Sequence, residues 1–295
     1  MPPRITPLTD PDSSPSSRRL AWLASDADGV PVGSAFLRLS DKEGQDHRAE
    51  LEITVHPANR RTGVGGALLG AARTAARGEG RRSLVAQVTA GSPGEPFLTA
   101  HGFRPVLALT FARLPLPELD LEAVTEIAGR PHPGYALVSW DGVVPDELAR
   151  TFADSRRAMD DMPMEDSDHG VGVGVWDVER VVAVAEAVLE RGDALHTVAV
   201  VDRSDGSLAG FSELVVPGDG RGDAQHYGTG VLPEHRGHGL GLWMKAESVR
   251  GARLRYPELS GLLTDTADGN AHMIGINDAL GYRPTHRELE YRLDL

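Results

Sequence analysis

Two segments of the chain have the residues to bind a phosphorylated ligand through backbone amides. In each, an arginine precedes alternating glycines at the start of an apolar helical pattern. The segments are Arg60-Arg61-Thr62-Gly63-Val64-Gly65-Gly66 and Arg236-Gly237-His238-Gly239-Leu240-Gly241. Glycine lets neighbouring N–H groups point at one spot, and a helix N-terminus adds a positive field there. The arginine is placed for a charge-assisted contact with the same oxygens, so the combination predicts a diphosphate ligand.

Other phosphate-binding loops fit these segments less well. Neither segment has the Walker pattern G-x-x-x-x-G-K-[ST]. The dinucleotide pattern G-x-G-x-x-G also fails, because its last glycine would be Leu68 or Leu242 and because the loop follows a hairpin. A plain tight turn is the alternative interpretation of one such segment, but a second copy in an equivalent context favours ligand binding.

The two turns belong to a longer internal repeat, since Gly63 and Gly239 are 176 residues apart within the same order of elements. In each copy an apolar strand ends in Val-x-Pro, and the turn and a helix follow. Because proline cannot continue the strand ladder, backbone groups at the strand end remain for a ligand. The predicted helices cover residues 67–76 and 242–253.

The second copy has a complete order of elements around its turn. A strand, two helices and a hairpin precede the turn, and a strand, a helix and a final strand follow it. The predicted strands cover 135–140, 197–202, 210–216, 259–264 and 288–293, and the further helices cover 145–159, 177–190 and about 270–280.

The first copy is shorter. It has a hairpin at 19–24 and 32–39 and a strand at 83–89, but no paired helices before the hairpin. Residues 9–17 are rich in Pro, Ser and Asp and predict a loop, as do residues 91–98. This copy therefore has no evident place for an acceptor substrate.

Composition narrows the classes of function. The net charge of −13 argues against a nucleic-acid partner and would attract a cationic molecule. The absence of cysteine excludes disulfides, thiolate metal sites and cysteine nucleophiles. We find neither a signal peptide pattern nor an apolar stretch that could span a bilayer. These features predict a cytoplasmic protein without a membrane partner or a metal, and they leave the oligomeric state open.

At the two turns the sequence resembles a known family. Both turns look like motif A of the GCN5-related N-acetyltransferases (GNAT), Q/R-x-x-G-x-G/A. Residues 270–282 are similar to that family's N-x-x-A-x-x-L-Y-x-x-x-G-F helix. The resemblance covers 135–295 fully and the first copy in part, and two such domains in tandem are similar to the arrangement of the mycothiol synthase family.

The resemblance implies an α/β (α+β) fold with two tandem GNAT-like domains, each a mixed, mostly antiparallel sheet flanked by helices. We predict a degenerate, incomplete domain at 1–117, a linker with helical character at 118–132 and a complete acetyltransferase domain at 133–295. By the same resemblance, the second domain transfers an acetyl group from acetyl-coenzyme A (acetyl-CoA) to an amine of a small molecule, and the net charge of −13 predicts that this molecule is cationic.

The resemblance also implies that CoA lies in a wedge between the motif A strand and the next strand. The residues expected to bind it in the second copy are Thr229, Val231, Arg236, Gly237, His238, Gly239, Leu240, Gly241, Asn270 and Asn277. The residues expected to bind it in the first copy are Arg60, Arg61, Gly63 and Gly65. Strand amides would polarise the thioester carbonyl.

An amine acceptor must lose a proton before it attacks, so a base or a water relay is expected. Glu213 is the predicted base, because its strand lies next to the motif A strand. An exposed strand carboxylate is the other interpretation of Glu213. His226, Tyr227 and Asp265 lie on or beside the strands that flank the wedge and are substitutes.

The tyrosine that protonates the leaving thiolate in the family falls at Asn277 here, and at Leu98 in the first copy. Tyr282 and Tyr256 are candidate acids, and core packing is the other interpretation of Tyr282. Because of Asn277, a catalytically silent acyl-CoA sensor is an alternative function, and an acyltransferase that uses a carrier-protein thioester is another.

An acidic segment lies between the two predicted helices that cover the acceptor side. Its charged residues are Asp160, Asp161, Glu165, Asp166 and Asp168. They would attract a polyamine or an amino sugar, although charge blocks of this kind are usually solvated loops.

Overall fold

A computed structural model describes residues 2–9, 13–14, 17–40, 46–159 and 176–295. The chain forms two compact units. Among the described residues, unit 1 consists of those up to Ala108 together with Arg287–Leu295, and unit 2 of the remainder between Leu109 and His286. No helix in the described ranges combines the length and the apolar character needed to cross a membrane.

The described elements are, in chain order, β1 Arg4–Leu8, β2 Ser13–Ser14, β3 Ser17–Ser25, β4 Pro31–Ser40, β5 Arg48–Val55, α1 Val64–Gly78, β6 Ser83–Thr89, α2 Gly94–Ala100, β7 Arg104–Pro115, α3 Leu121–Ala128, β8 Tyr135–Asp141, α4 Asp146–Ser155, α5 Val178–Glu190, β9 Ala194–Asp202, β10 Leu208–Val216, β11 Gly222–Val231, α6 Leu240–Arg255, β12 Leu259–Ala267, α7 Ala271–Ala279 and β13 Arg283–Asp294.

Unit 1 is a sheet in the order β1-β3-β4-β5-β6-β13, in which only β5 and β6 pair in parallel. Helix α1 packs its buried face, which includes Leu68 and Leu69, against this sheet. Gly33 on β4 permits this contact, because a Cβ there would lie 3.2 Å from Val64 and 2.8 Å from a strand carbonyl. The core also contains Tyr291 and Leu293 of β13.

Unit 2 is a sheet in the order β7-β12-β11-β10-β9-β8, in which only β11 and β12 pair in parallel. Side chains alternate between the faces of a strand. Leu214 and Val216 of β10 pack with α6, whereas Phe211 packs with α4 and Val215 with α5. The sheet therefore has α6 on one face and the helix pair α4 and α5 on the other.

Each unit contains a strand that comes from a distant part of the sequence. β13 follows α7 of unit 2 but pairs with β6 of unit 1, from Glu288 opposite Thr89 to Asp294 opposite Ser83. β7 follows α2 of unit 1 but pairs with β12 of unit 2. The compact units are consequently bounded differently from the predicted domains 1–117 and 133–295, and the predicted linker 118–132 contributes α3 to the core of unit 2.

The predicted α/β class is confirmed, with the mostly antiparallel sheets flanked by helices. The first copy needs correction, because β1 and β7 were not predicted. Within the two predicted loops, residues 13–14 form the short strand β2, and residues 94–98 belong to α2. Leu98 is the residue of α2 that packs into the core, so tertiary burial stabilises a short helix that its Gly and Pro content disfavours.

We expect the far C-terminus to stabilise unit 1. Leu293→Ala should lower its stability by about 2–4 kcal/mol, because a buried leucine is lost from a packed core. Native-state hydrogen exchange should show amides of β6 losing protection while those of β10 keep it. Leu254→Ala, at a leucine that is 58% exposed, is the control, and loss of protection confined to β10 would contradict the assignment.

Candidate functional site

Strands β11 and β12 of unit 2 separate in the middle of the sheet. They pair up to Gln225 opposite Leu263 and then continue to Val231 and Ala267 without pairing to each other, although both strands lie wholly in the described part of the chain. β11 stays paired with β10 on its other side. We call this opening the wedge of unit 2. The open edge of β11 offers N–H and C=O groups that an extended ligand can bond.

The predicted diphosphate turn lies at the end of β11. Gly237 and Gly239 have φ values of 85° and 75°, a left-handed conformation that is costly for a residue with a Cβ. Gly239 is the N-cap of α6, and no side chain caps the helix. The first N–H groups of α6 are thus left for another acceptor, as an anion site at a helix N-terminus requires.

Arginine anchors the turn in the same way in both units. Arg236 Nε donates to the carbonyl oxygen of Val231 at 3.1 Å, and Arg60 Nε donates to that of Val55 at 3.3 Å. Each bond joins the turn back to the strand that precedes it. The predicted equivalence of the two motifs therefore extends to their hydrogen bonds.

The last glycine of each motif has a packing role. A Cβ on Gly241 would lie 3.1 Å from Ile276 Cδ1 of α7, and a Cβ on Gly65 would lie 3.0 Å from the Phe97 ring of α2. These glycines let the helix after the turn approach the next helix closely. Their place in the motif is explained without contact to a ligand.

His132 supports the turn, which sequence reasoning missed. Its Nδ1 donates to the carbonyl oxygen of His238 at 3.0 Å, and its ring stacks on Trp243 with centroids 4.2 Å apart. The ring of Tyr135 lies 5.5 Å from that of His238, and its hydroxyl bonds His235 Nδ1 at 3.2 Å. The sequence placed His132 at an interdomain boundary, and no spacing signal pointed to these contacts.

β11 has an extra residue next to the wedge. Glu213 pairs with Gly228 but Leu214 pairs with His226, so Tyr227 is bulged. Tyr227 is 48% exposed. A bulge leaves backbone groups outside the ladder and turns the strand locally, which is common beside active sites.

Beyond the bulge, the side chains of β11 are already bonded or packed. Thr229 Oγ1 shares a hydrogen bond of 2.8 Å with the Ser212 hydroxyl, and Val231 packs against the core around Leu240 and Met244. The side chains of the predicted ligand residues Thr229, Val231 and Leu240 are thus occupied within the protein, and any contact with a ligand would fall to their backbone groups.

Glu213 lies on β10 opposite β11, as its predicted strand required, but it does not face an open cleft. It is 4% exposed, and its two carboxylate oxygens accept from Arg156 at 2.7 and 2.5 Å. The guanidinium of Arg156 lies 4.6 Å from the ring centroid of Phe152, 4.9 Å from Trp176 and 4.5 Å from Phe211. Removing either side chain would leave the other as a buried charge without its partner, which is costly.

The segment after α4 covers the bulged part of β11. A Cβ on Gly230 would lie 2.9 Å from Ala158 Cβ, and one on Gly228 would lie 3.5 Å from Met159 Cε. The two glycines therefore make room for residues 158–159 on this face. The acidic residues Asp160, Asp161, Glu165, Asp166 and Asp168, which follow directly, lie outside the described residues.

Asn277 is held inside a buried polar cluster. Lys245 Nζ donates to Asn277 Oδ1 at 2.6 Å and to Thr264 Oγ1 at 3.2 Å, and Asn277 Nδ2 donates to Thr266 Oγ1 at 3.0 Å. We call these four residues the Lys245 cluster. Lys245 is 1% exposed, and burial lowers its pKa to about 7, with the charge of Asp265 acting in the opposite direction. The sequence analysis did not single out Lys245.

Tyr282 and His226 border this cluster. Lys245 Nζ lies 4.8 Å from the Tyr282 ring centroid, and the His226 ring lies 6.1 Å from it. Burial raises the pKa of Tyr282 well above 10, and burial followed by the charge of Lys245 lowers the pKa of His226 well below 6.5. Both groups are neutral core residues at neutral pH, so the core interpretation of Tyr282 fits better than the acid.

Two other predicted residues have local structural roles. Asn270 caps α7, since its Oδ1 accepts from the Met273 amide at 3.1 Å. Tyr256 bonds His196 Nε2 through its hydroxyl at 2.6 Å. Asp265 is exposed on β12 beyond the last residue paired with β11.

Unit 1 repeats the wedge and the turn. β5 and β6 pair only up to Glu50 opposite Val85, and Gly63, with φ 90°, caps α1. Arg61, with φ 64°, stands where unit 2 has Gly237. The pairing of β4 with β5 is regular and carries no bulge. A cavity of about 460 Å³ is lined by residues of both wedge strands, including Glu52.

The positive φ of Gly239 should make any substitution with a Cβ destabilising. We expect Gly239→Ala to destabilise the protein by about 1–2 kcal/mol because of its φ of 75°. Gly251→Ala is the matched control, since Gly251 lies inside α6 with open space around its Cβ position. That change should stabilise by about 0.5–1 kcal/mol. Urea denaturation followed by circular dichroism measures both, and equal shifts would contradict the strain.

Lys245 should make stability depend on pH. Its folded pKa of about 7 lies below the usual 10.4 or so, so the unfolded chain binds more protons between these values and unfolding free energy rises with pH. Lys245→Met removes this dependence. We expect the difference in unfolding free energy between Lys245→Met and the wild type to fall by about 1.4 kcal/mol per pH unit above pH 7, because the wild type gains stability there. Parallel curves of unfolding free energy against pH would show that Lys245 titrates normally.

Comparisons with known proteins agree with this architecture. Residues 17–105, which lie in unit 1 and include its turn, match the acetyltransferase (GNAT) domain family. A mycothiol acetyltransferase of Clavibacter michiganensis subsp. michiganensis is 33% identical over 236 residues, covering 75% of this chain and 64% of that protein. A mycothiol acetyltransferase of Nocardia farcinica is 26% identical over 320 residues, covering 98% and 96%. The chain thus spans less than two thirds of the first relative and nearly all of the second.

A solved structure described as a tandem GNAT protein from the clavulanic acid biosynthesis pathway is 26% identical, with a TM-score of 0.69. The match covers 96% of this chain and 84% of that one. The family match falls on the copy that the sequence analysis took to be degenerate, so unit 1 retains the family's sequence features. The repeated strand, turn and helix, with these relatives, show that the chain belongs to the GCN5-related N-acetyltransferase (GNAT) superfamily, with two such units in tandem.

Proposed function

We propose that the protein is an N-acetyltransferase that moves an acetyl group from acetyl-CoA to an amine of a small, cationic molecule, with the chemistry in unit 2. The observation that carries this proposal is the wedge between β11 and β12, which leads directly into an uncapped, glycine-rich helix start. These two features suit the two parts of one ligand, an extended amide chain and a diphosphate.

The residues that would hold the donor follow from this geometry. The amides around Gly237, Gly239 and the start of α6 would bind the diphosphate, with Arg236 at the same turn. The open backbone edge of β11 from Gly228 to Val231 would pair with the pantetheine amides. Backbone N–H groups freed at the bulge would polarise the thioester carbonyl, whose oxygen gains negative charge as the amine attacks.

The backbone of unit 2 favours it over unit 1 as the site of chemistry. Only the β10–β11 pair carries the bulge, whereas the β4–β5 pair is regular. In the described residues, unit 2 also has the helix pair α4 and α5 over the sheet face opposite α6. That face with its helices can form an acceptor site beside the wedge.

We infer that the acceptor's proton leaves through water rather than to Glu213. The carboxylate of Glu213 is bonded at both oxygens by buried Arg156. Because the carboxylate is also 4% exposed, it has no open face to offer an acceptor amine. The role that fits Glu213 is to fix Arg156 and the segment that packs on Gly228 and Gly230.

The acceptor is inferred from charge and from the relatives. A net charge of −13 favours a cationic amine. Because curated relatives are named mycothiol acetyltransferases, an amine related to mycothiol is the first acceptor to test, alongside amino sugars and polyamines.

The paired arginines of the two turns allow a matched test. We expect calorimetry to detect acetyl-CoA binding to the wild-type protein, and Arg236→Glu to weaken binding at unit 2 by about 10-fold or more through charge reversal at the diphosphate. Thiol release with an amine panel should fall in the same variant. Arg60→Glu, the equivalent change in unit 1, should leave turnover intact.

Three outcomes would contradict parts of the proposal. No acetyl-CoA binding by the wild type would reject the donor and leave a carrier-protein thioester as the alternative. Binding without turnover for any amine would favour an acyl-CoA sensor. Loss of turnover in Arg60→Glu but not in Arg236→Glu would move the chemistry to unit 1.

A further inference from the structure

We propose that Lys245, acting through the hydroxyl of Thr264, supplies the proton that neutralises the released thiolate. The thiolate would form at the vertex of the wedge, which is the point after Gln225 and Leu263 where β11 and β12 separate. This inference rests on the proposed function and assigns its missing acid. The family position for a tyrosine acid is occupied by Asn277, and Tyr282 is a buried core residue. Lys245 contacts both residues, since it donates to Asn277 and lies beside the Tyr282 ring.

The cluster lies where the strands separate. The last paired residues are Gln225 and Leu263, and Thr264 is the next residue of β12. Its hydroxyl accepts from Lys245, which leaves its own proton to donate. A thioester drawn into the wedge would therefore meet Thr264 first and Lys245 behind it.

The hydrogen bonds of Lys245 go to neutral oxygens. Its two acceptors are the Thr264 hydroxyl and the Asn277 amide oxygen, and the Tyr282 ring lies beside it. A buried cation is stable only when nearby groups compensate its charge. An anion at the wedge vertex would do so, and the thiolate is the anion that the proposed reaction produces there.

Unit 1 shows that the fold does not need this polar cluster. Leu69 and Lys245 occupy the same position relative to the N-cap glycines of α1 and α6. Leu98 and Asn277 are equivalent too, since Phe103 N donates to Leu98 O and Tyr282 N donates to Asn277 O. Leu69, Leu98 and Phe103 belong to one apolar core. Unit 2 therefore has buried polar side chains at two positions where unit 1 has leucine.

The choice of lysine is also informative. Lys42 and Lys245 are the only lysines among the 30 lysine and arginine residues of the chain. Arginine does not give up its proton at accessible pH, whereas a buried lysine does. Arginine supplies the other basic side chains except Lys42, so a lysine, which can give up its proton, is an unusual choice for this buried position.

The proposed step balances in atoms and charge. The acceptor's neutral amine forms the new C–N bond, and the C–S bond breaks with its electron pair on sulfur. Thr264 transfers its hydroxyl proton to sulfur and takes one from the Lys245 ammonium. Lys245, now neutral, regains a proton from water, which has received the proton that the amine lost.

The titratable groups around Lys245 are compatible with this role. His226 on β11 and Tyr282 after α7 are buried and neutral at pH 7, because burial shifts the pKa of each away from its charged form. Asp265 on β12 raises the pKa of Lys245 against the larger effect of burial, giving about 7. An acid of this strength can protonate a thiolate, whose conjugate thiol has a pKa near 8.5.

Two measurements test the proposal without an acceptor substrate. Lysine labelled with ¹³C at Cε gives few resonances in this chain, and Lys245→Met identifies the one from Lys245; it should titrate near pH 7. Ultraviolet absorbance of bound CoA reports its thiolate directly. We expect the thiol pKa in the wild-type complex to be about one to three units below that in Lys245→Met, as for a thiol facing an opposite charge.

Turnover supplies the third readout. With an amine that the wild type accepts, Lys245→Met and Thr264→Val should lower kcat about 10²-fold at pH 7 with little change in KM. Thr264→Ser should restore most of the rate. The wild-type rate should decline above pH 7 as Lys245 loses its proton, and the variants should lack this limb. Lys42→Met is the control that removes the other lysine.

The outcomes separate the two levels of inference. No CoA binding by the wild type overturns the proposed function itself. CoA that binds with the same thiol pKa in the wild type and in Lys245→Met overturns the role of Lys245 and leaves the proposed function standing. The double variant Lys245→Leu with Asn277→Leu copies the unit 1 interior, so it should fold and bind CoA while losing the thiol shift.

Discussion

The separation of two parallel strands inside a sheet is the constraint on which unit 2 depends. A sheet that opens after Gln225 and Leu263 loses ladder bonds, and the loss is tolerable only where another partner can use the freed backbone groups. The turn after β11, the uncapped start of α6 and the bulge at Tyr227 all lie along this opening. Each provides main-chain donors along the wedge.

Comparison of the two units separates the features that the fold requires from those that are particular to unit 2. Both have the wedge, the arginine bonded to the preceding strand, and the glycine at the helix N-cap. They differ in the interior beneath the wedge, which is Leu69 and Leu98 in unit 1 but Lys245 and Asn277 in unit 2. Since burying a charge is costly unless an opposite charge is paired with it, the Lys245 ammonium, bonded to neutral oxygens, has a cost that the backbone alone does not impose.

Buried charge in unit 2 takes two forms with different consequences. Arg156 and Glu213 form a buried ion pair among aromatic rings, so each charge is compensated by the other. Lys245 is bonded only to neutral oxygens in its cluster, and its pKa falls to about 7. The first arrangement pairs a cation with an anion next to the segment that covers β11, whereas the second bonds an ammonium to neutral oxygens.

The sequence by itself determined the repeat, the α/β class, the two turns and the helix pair of unit 2, because these depend on local periodicity, glycine spacing and helix signals. Tyr282 and Glu213 were chosen as candidate acid and base from their positions along the predicted strands and helices. Such positions do not show which side chains from other segments pack against them. Only the tertiary structure decided that Arg156 forms an ion pair with Glu213 and that Lys245 donates to Asn277. The same holds for the pairing of β7 with β12 and of β13 with β6, strands that are distant in the sequence. Burial and partner choice depend on contacts between distant segments, and local sequence patterns do not encode them.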